Sequence, residues 1–236
     1  MLAVFVNMAA VLIGGCFGLL FRTKIKPEHA ETVIDALALA TIVIGGISAI
    51  ETQNLLCLIV CLALGTVVGT VLKLDAHIKG VGDFVSSRLF RNNERFGKFT
   101  EGFVAASIVF CVGAMTVVGS FKAGIERDYS IIFAKSALDF IGATFFAAGM
   151  GIGVPFAALF VLVFQGGLTL LASYVAPFLS EKVVVELSAV GGAILIGLGL
   201  NMLDISNKKI KVADMTPAIF LPIAFLPLYE LITQAL

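Results

Sequence analysis

Charge is scarce in this chain, with 16 basic and 16 acidic residues among 236 and a formal net charge of zero at pH 7. That is too little to cover a water-soluble domain of this length. With no basic region outside the apolar segments, it also argues against a nucleic-acid partner. Histidine is scarcer still. The two present, His29 and His77, fall in stretches that read as cytoplasmic loops, and no G-x-S-x-G or H-E-x-x-H pattern occurs, so no enzyme is expected. The four cysteines, Cys16, Cys57, Cys61 and Cys111, lie in apolar segments without a CxxC pair or an adjacent histidine. They read as small hydrophobes rather than as metal or redox sites, and no cofactor is expected beyond bound sodium. The first apolar run has no basic region before it and is too long for a signal-peptide core, so it reads as a retained span.

What the chain has is apolar length. Hydrophobic residues make up 59% of it and its mean hydropathy is +1.07. Eight windows approach the roughly 20 residues needed to cross a hydrocarbon core: 2–21, 34–50, 54–73, 102–121, 131–150, 154–176, 184–203 and 216–234. The expected fold class is all-α, a polytopic transmembrane helix bundle embedded in a lipid bilayer.

With eight spans, twelve of the sixteen basic residues collect on one side: Arg22, Lys24, Lys26, Lys73, Lys79, Arg88, Arg91, Arg95, Lys98, Lys208, Lys209 and Lys211. Lys122, Arg127 and Lys182 fall on the other, and Lys135 sits inside the fifth span. The positive-inside rule then puts both termini outside. Spans one to three start outside and spans four to six start inside, so the two triplets have opposite topology. Ala36-Leu37 falls on Ala137-Leu138, and Leu58, Val60 and Gly65 fall on Leu159, Val161 and Gly166, all at an offset of 101 residues. An inverted repeat follows, divided as 1–73 (first three-span half), 74–100 (cytoplasmic connection), 101–178 (second, inverted half) and 179–236 (two added spans). Inverted halves create a midplane site that can open to either side, the architecture of many transporters. In the connection, Ile78, Val81, Val85 and Leu89 recur at helical spacing, with Lys79, Arg88, Arg91 and Arg95 on other faces, as in a helix lying on the membrane surface.

Asp139 is the most informative position. It lies about eight residues into the fifth span, roughly 12 Å below the outer end at 1.5 Å per residue. An acid at that depth faces the bundle interior, a partner or a water-filled path. Lys135, four residues earlier, is placed to pair with it or to snorkel outward. Gln165 stands mid-depth in the sixth span beside Gly166 and Gly167, and its amide oxygen suits a hard cation such as sodium or an interhelical tie. Asp139 and Gln165 are the sodium-ligand candidates. Ser136, Thr144, Asn7 and Asn201 add oxygens that could line a path without forming one compact site.

Gly151, Gly153 and Pro155 mark a junction between the fifth and sixth spans that reads either as a tight turn or as an unwound stretch with free carbonyls. In the last span, Pro217, Pro222 and Pro227 predict a kinked helix, with Pro222 and Pro227 as gating candidates. Gly14, Gly18, Gly65, Gly69, Gly191, Gly192, Gly197 and Gly199 supply small faces for close helix approach, within one chain or across a homodimer.

Four strings, GFVAASIVFCVGAMTVVGSF at 102–121, KSALDF at 135–140, FQGGLTLLA at 164–172 and SAVGGAILIGLGLNMLDI at 188–205, resemble the YqgA/YdfK-like bacterial membrane proteins, domain of unknown function 554. The resemblance spans essentially the whole chain. It implies a bacterial inner-membrane protein, with a sodium channel or pump as the suggested activity and Lys135, Ser136 and Asp139 as the family's polar motif. Where that family carries Asn-Met-Leu-Pro-Ala, this chain has Asp214-Met215-Thr216-Pro217-Ala218. An ATP-driven pump would need a partner, because no nucleotide-binding element is present. The leading expectation is a channel or secondary transporter for sodium or protons. The alternatives are a non-transporting scaffold or sensor and a cation-coupled carrier of a small organic solute.

Overall fold

The computed structural model describes residues 1–22, 27–77, 80, 99–111, 114–205 and 208–235, and every extended element among them is helical. The elements are α1 (Leu2–Arg22), α2 (Pro27–Ile50), α3 (Leu55–Val71), α4 (Phe99–Cys111), α5 (Ala114–Ile125), α6 (Ser130–Met150), α7 (Gly153–Val175), α8 (Glu181–Met202) and α9 (Pro222–Ala235). A nine-residue 3-10 segment, Val212–Phe220, precedes α9, and a short 3-10 turn, Ala176–Phe178, follows α7. Among the described residues, five helices are long and apolar enough to cross a membrane, and the number rises to seven if each of two bent pairs, α4 with α5 and the 3-10 segment with α9, is one span. Helix is what such a sequence must form in lipid, where backbone N–H and C=O groups have no water to bond and must satisfy one another.

Helix boundaries follow local chemistry. Asn54 caps α3 by accepting from the Cys57 N–H at 3.0 Å, and Ser180 caps α8 by accepting from Val183 at 3.3 Å. Pro27 and Pro222 open α2 and α9, where a missing N–H costs nothing. The second helix thus begins seven residues before the expected window, and His29 belongs to its first turns rather than to a loop. The third is a 17-residue helix, short for a full crossing.

Two irregular places receive a definite form. Residues between α6 and α7 make a tight turn: Gly151, at φ 91°, donates to the Ala147 carbonyl at 3.0 Å and accepts from Val154 at 3.2 Å. Those carbonyls are engaged, so the junction is not an unwound stretch, and a side chain at Gly151 would collide with the Arg22 guanidinium. The last apolar segment is not one kinked helix but a 3-10 segment joined to α9 at a 48° bend. Pro217 and Pro222 each lack the N–H that an unbroken α-ladder needs, and the Leu221 N–H bonds three residues back to Ala218 at 3.2 Å. The proposed surface helix over residues 78–95 lies, but for Gly80, outside the described residues.

Close approach at glycine sets the packing. A Cβ on Gly14 or Gly18 of α1 would strike the carbonyls of Phe140 or Thr144 on α6, and one on Gly15 would come within 2.8 Å of the Pro155 ring on α7. The ascending pairs 14 with 140 and 18 with 144 make α1 and α6 parallel. Gly45 meets Gly192 while Gly199 meets Ile42, so α2 and α8 are antiparallel. Gly65 on Ala218 and Gly69 on Asp214 lay α3 antiparallel to the 3-10 segment.

These contacts sort the helices into two groups that cut across the sequence order: α1 and α4 to α7 in one, α2, α3, α8, the 3-10 segment and α9 in the other. The first three helices therefore do not pack as a unit of their own. Large apolar side chains such as Phe5, Leu20, Val43, Ile47, Ile59, Val67, Leu159 and Leu170 stand exposed around the outside. Lipid is the solvent that tolerates such a surface.

Candidate functional site

The buried face of α1 runs Asn7, Val11, Gly14 and Gly18, a spacing of three to four residues that lines one side of a helix. Because the two glycines bring that face against α6, and Gly15 brings α1 against α7, Asn7 reaches side chains on both. Its Nδ2 donates to Asp139 Oδ2 of α6 and to Gln165 Oε1 of α7, each at 3.0 Å. Lys135, one turn before Asp139, donates to the same Oδ2. Asn7 and Gln165 have no exposure, and Lys135 and Asp139 are 6% and 7% exposed, so the four side chains form one buried polar cluster.

The cluster lies deep. Asp139 is nine residues into α6, roughly 14 Å along its axis at 1.5 Å per residue. An ionic pair at such depth is costly unless each member is partnered, which Lys135 and Asn7 accomplish for the carboxylate. Ala3, Val4, Ala123 and Ile132 form a small buried apolar cluster of their own, flanked by Tyr129 and Leu162, that packs the start of α1, the end of α5 and the start of α6 on the N-terminal side of Asp139 along α6.

The remaining sequence candidates bond elsewhere. Ser136 donates to the Ile132 carbonyl at 2.7 Å and Thr144 to the Phe140 carbonyl at 2.9 Å, both back-bonded to their own helix. Asn201 ties the end of α8 to the backbone of Ile210 at 2.7 and 2.8 Å, away from the cluster. Asn7 is the reverse case. It was expected on a path and is found inside a compact site, because α1 packs against both α6 and α7 and sequence depth alone carries no information on that packing.

Two buried acids escaped sequence reasoning. Glu186, 1% exposed, accepts from Thr52 Oγ1 at 2.7 Å and from the N–H groups of Gln53 and Asn54 at 2.7 and 2.9 Å. It stitches α8 to the start of α3. Asp214, 3% exposed, accepts from the Asp75 N–H at 2.8 Å and ties the 3-10 segment to the chain beyond α3. The signal available for Glu186 was a lone acid in the apolar run Val183-Val184-Val185-Glu186-Leu187. Where the two helix groups meet, an apolar cavity of about 50 Å³ is lined by residues including Ser107, Cys111, Phe160, Phe164, Ile194 and Thr216.

Among the described residues no three His, Cys, Asp or Glu side chains converge to hold a metal ion. The polar cluster offers instead one carboxylate and neutral amide oxygens, the donor chemistry of hard cations rather than of zinc or copper.

Comparison with known proteins agrees with a membrane bundle without supplying an activity. The family described as "Protein of unknown function (DUF554)" matches residues 2–226. The chain is 31% identical over 222 residues to "Uncharacterized protein YqgA" of Escherichia coli (strain K12), covering 92% of each. It is 29% identical over 223 residues to "Uncharacterized membrane protein YdfK" of Bacillus subtilis (strain 168), covering 92% of this chain and 91% of that one. No solved structure matches. A bacterial multi-pass membrane protein, the chain belongs to the DUF554 family.

Proposed function

We propose that this protein is a channel or secondary transporter for a small monovalent cation, sodium or the proton, in the bacterial inner membrane. The observation that carries the reading is the Asp139 carboxylate, buried among α1, α6 and α7, with Lys135 and the Asn7 amide on one oxygen and Gln165 joined through Asn7. A buried acid tied into a polar cluster that draws side chains from three helices is a site for charge rather than routine packing. Lys135 acts as a tethered cation that holds the carboxylate and that an incoming ion must displace.

The reading takes all eight apolar segments as crossings, with both termini outside and spans one to three inverted relative to four to six. Helix directions support the crossings. The first and fifth segments run parallel, the second and seventh antiparallel, and the third and eighth antiparallel, as strict alternation requires. A homodimer is part of the proposal. Direct sodium binding by purified protein tests the site, and binding that survives Asp139→Asn would remove the acid from it. Tags at both termini, probed on intact cells, test the orientation.

A second reading, a scaffold or sensor that moves no ion, is favoured by the same ion pair taken as a fixed structural tie. It requires a stable partner on gentle purification and no water path to Asp139.

A further inference from the structure

Hydrogen bonding around Asp139 leaves a pattern of unused atoms. The Asn7 amide nitrogen bridges two acceptors, Asp139 Oδ2 and Gln165 Oε1, each 3.0 Å away, so two oxygens on two helices converge on one point. The other end of that amide, Asn7 Oδ1, is buried without a partner, as are Gln165 Nε2 and Ser120 Oγ. All three side chains have no exposure. Ser120 stands one turn before Gly124 on α5, Gly124 rests on Thr169 of α7, and Gln165 stands one turn before Thr169. With Gly102 near Val154 and Gly124 near Thr169, α4 and then α5 follow α7 along its length, and Ser120 precedes the Gly124–Thr169 contact by the same one turn as Gln165 does. Buried polar atoms are usually satisfied, and the orphan amide oxygen Asn7 Oδ1, on a side chain that touches the ion pair, calls for a partner that can use it.

We infer that Asn7, Asp139 and Gln165 form a coordination site for a single dehydrated monovalent cation, and that the Asn7 side chain opens it by a half-turn of its amide. This rests on the functional reading above and specifies its ligand set. The two ends of an amide have nearly the same shape but opposite hydrogen-bonding character, so the turn needs little space and reverses what the site presents. As the chain is folded, an N–H₂ donor sits between two oxygens. After the turn, Asn7 Oδ1 takes that place, and three oxygens from three helices lie close together. They repel one another unless a cation stands among them, which couples the amide orientation to occupancy. Ser120 Oγ, buried on the helix that packs against α7, is the candidate for a further oxygen. The cation must also take Asp139 Oδ2 from the Lys135 ammonium. Once the Lys135 ammonium has given up that oxygen, one carboxylate with neutral oxygens balances one positive charge, which selects a monovalent ion over calcium.

Equilibrium binding of radioactive sodium and radioactive calcium to the purified full-length protein tests this, with thermal unfolding of each variant in parallel. Asn7→Leu, which keeps the bulk and removes the oxygen, is expected to weaken sodium binding by about tenfold or more. Asn7→Asp supplies the oxygen without a turn and adds a second carboxylate, so it is expected to gain calcium binding that the unaltered protein lacks. Wild-type sodium affinity in folded Asn7→Leu overturns the inference. Should Asn7→Leu not fold, Asn7→Asp decides alone, and no gain of calcium overturns it. Sodium binding that is lost in Asp139→Asn but kept in Asn7→Leu defeats only the amide mechanism, whereas an unaltered protein that binds no sodium defeats the functional reading along with it.

Discussion

Gly45 of α2 and Gly192 of α8 face each other so closely that a Cβ on either would lie 2.5 Å from the carbonyl oxygen of the other. The pair is the pivot of the second helix group, and neither residue has room for a methyl. Gly45→Ala or Gly192→Ala is expected to cost about 1–3 kcal/mol, the usual penalty for overpacking. Thermal unfolding in detergent reads the loss. The same change at Gly46, which has nothing within 4 Å of its would-be Cβ, should leave the melting temperature unchanged.

Glu186 supplies a second test of the same group. Glu186→Ala strands three donors, the Thr52 hydroxyl and the Gln53 and Asn54 N–H groups. Each orphan costs about 1–3 kcal/mol. Folded protein should fall markedly in a fluorescence-detected sizing assay, while ion flux per folded molecule stays at the wild-type level. Loss of flux without loss of folding would move Glu186 into the transport machinery.

The Lys135–Asp139 pair predicts non-additivity. Lys135→Gln leaves a buried carboxylate without its cation and is expected to destabilise by about 3–5 kcal/mol. Adding Asp139→Asn to it removes the stranded charge and should recover a large part of that loss, giving a coupling that a double-mutant cycle in thermal unfolding measures. Additive effects would show that the two side chains do not share one electrostatic environment.

Much of the fold was legible because apolar length is a direct consequence of bilayer thickness. The burial of the acid at Asp139 and of the amide at Gln165 could be read from position alone. Packing could not. Asn7 joined the cluster because Gly14, Gly15 and Gly18 let α1 settle against two helices far away in sequence, and no periodicity within α1 names its neighbours. The 3-10 segment escaped notice because prolines announce a break without choosing its form. Glu186 was hidden by its nearness to a helix start, where an acid is ordinary.

Outside the membrane, Asp128 sets an acid-sensitive start to α6. Hydrogen bonds from the Ser130 hydroxyl and N–H, the latter at 2.9 Å, hold its carboxyl below the ordinary value of 3.8. A lowered folded value means that this stabilisation is fully present above pH 3.8 and fades as pH falls through the lower folded value. Melting temperature followed into that acid range should show a small step in the unaltered protein and none in Asp128→Asn. The exposed position keeps the effect small.

The central claim is that a cation passes by way of Asp139. Purified protein in sealed liposomes, given an inward sodium gradient with radioactive sodium as tracer, should take up sodium above empty vesicles. Asp139→Asn, equally folded and inserted, should not. Equal uptake by the two proteins would contradict the role of the acid. Silence of the unaltered protein toward both sodium and protons would contradict transport itself and leave the scaffold reading in its place.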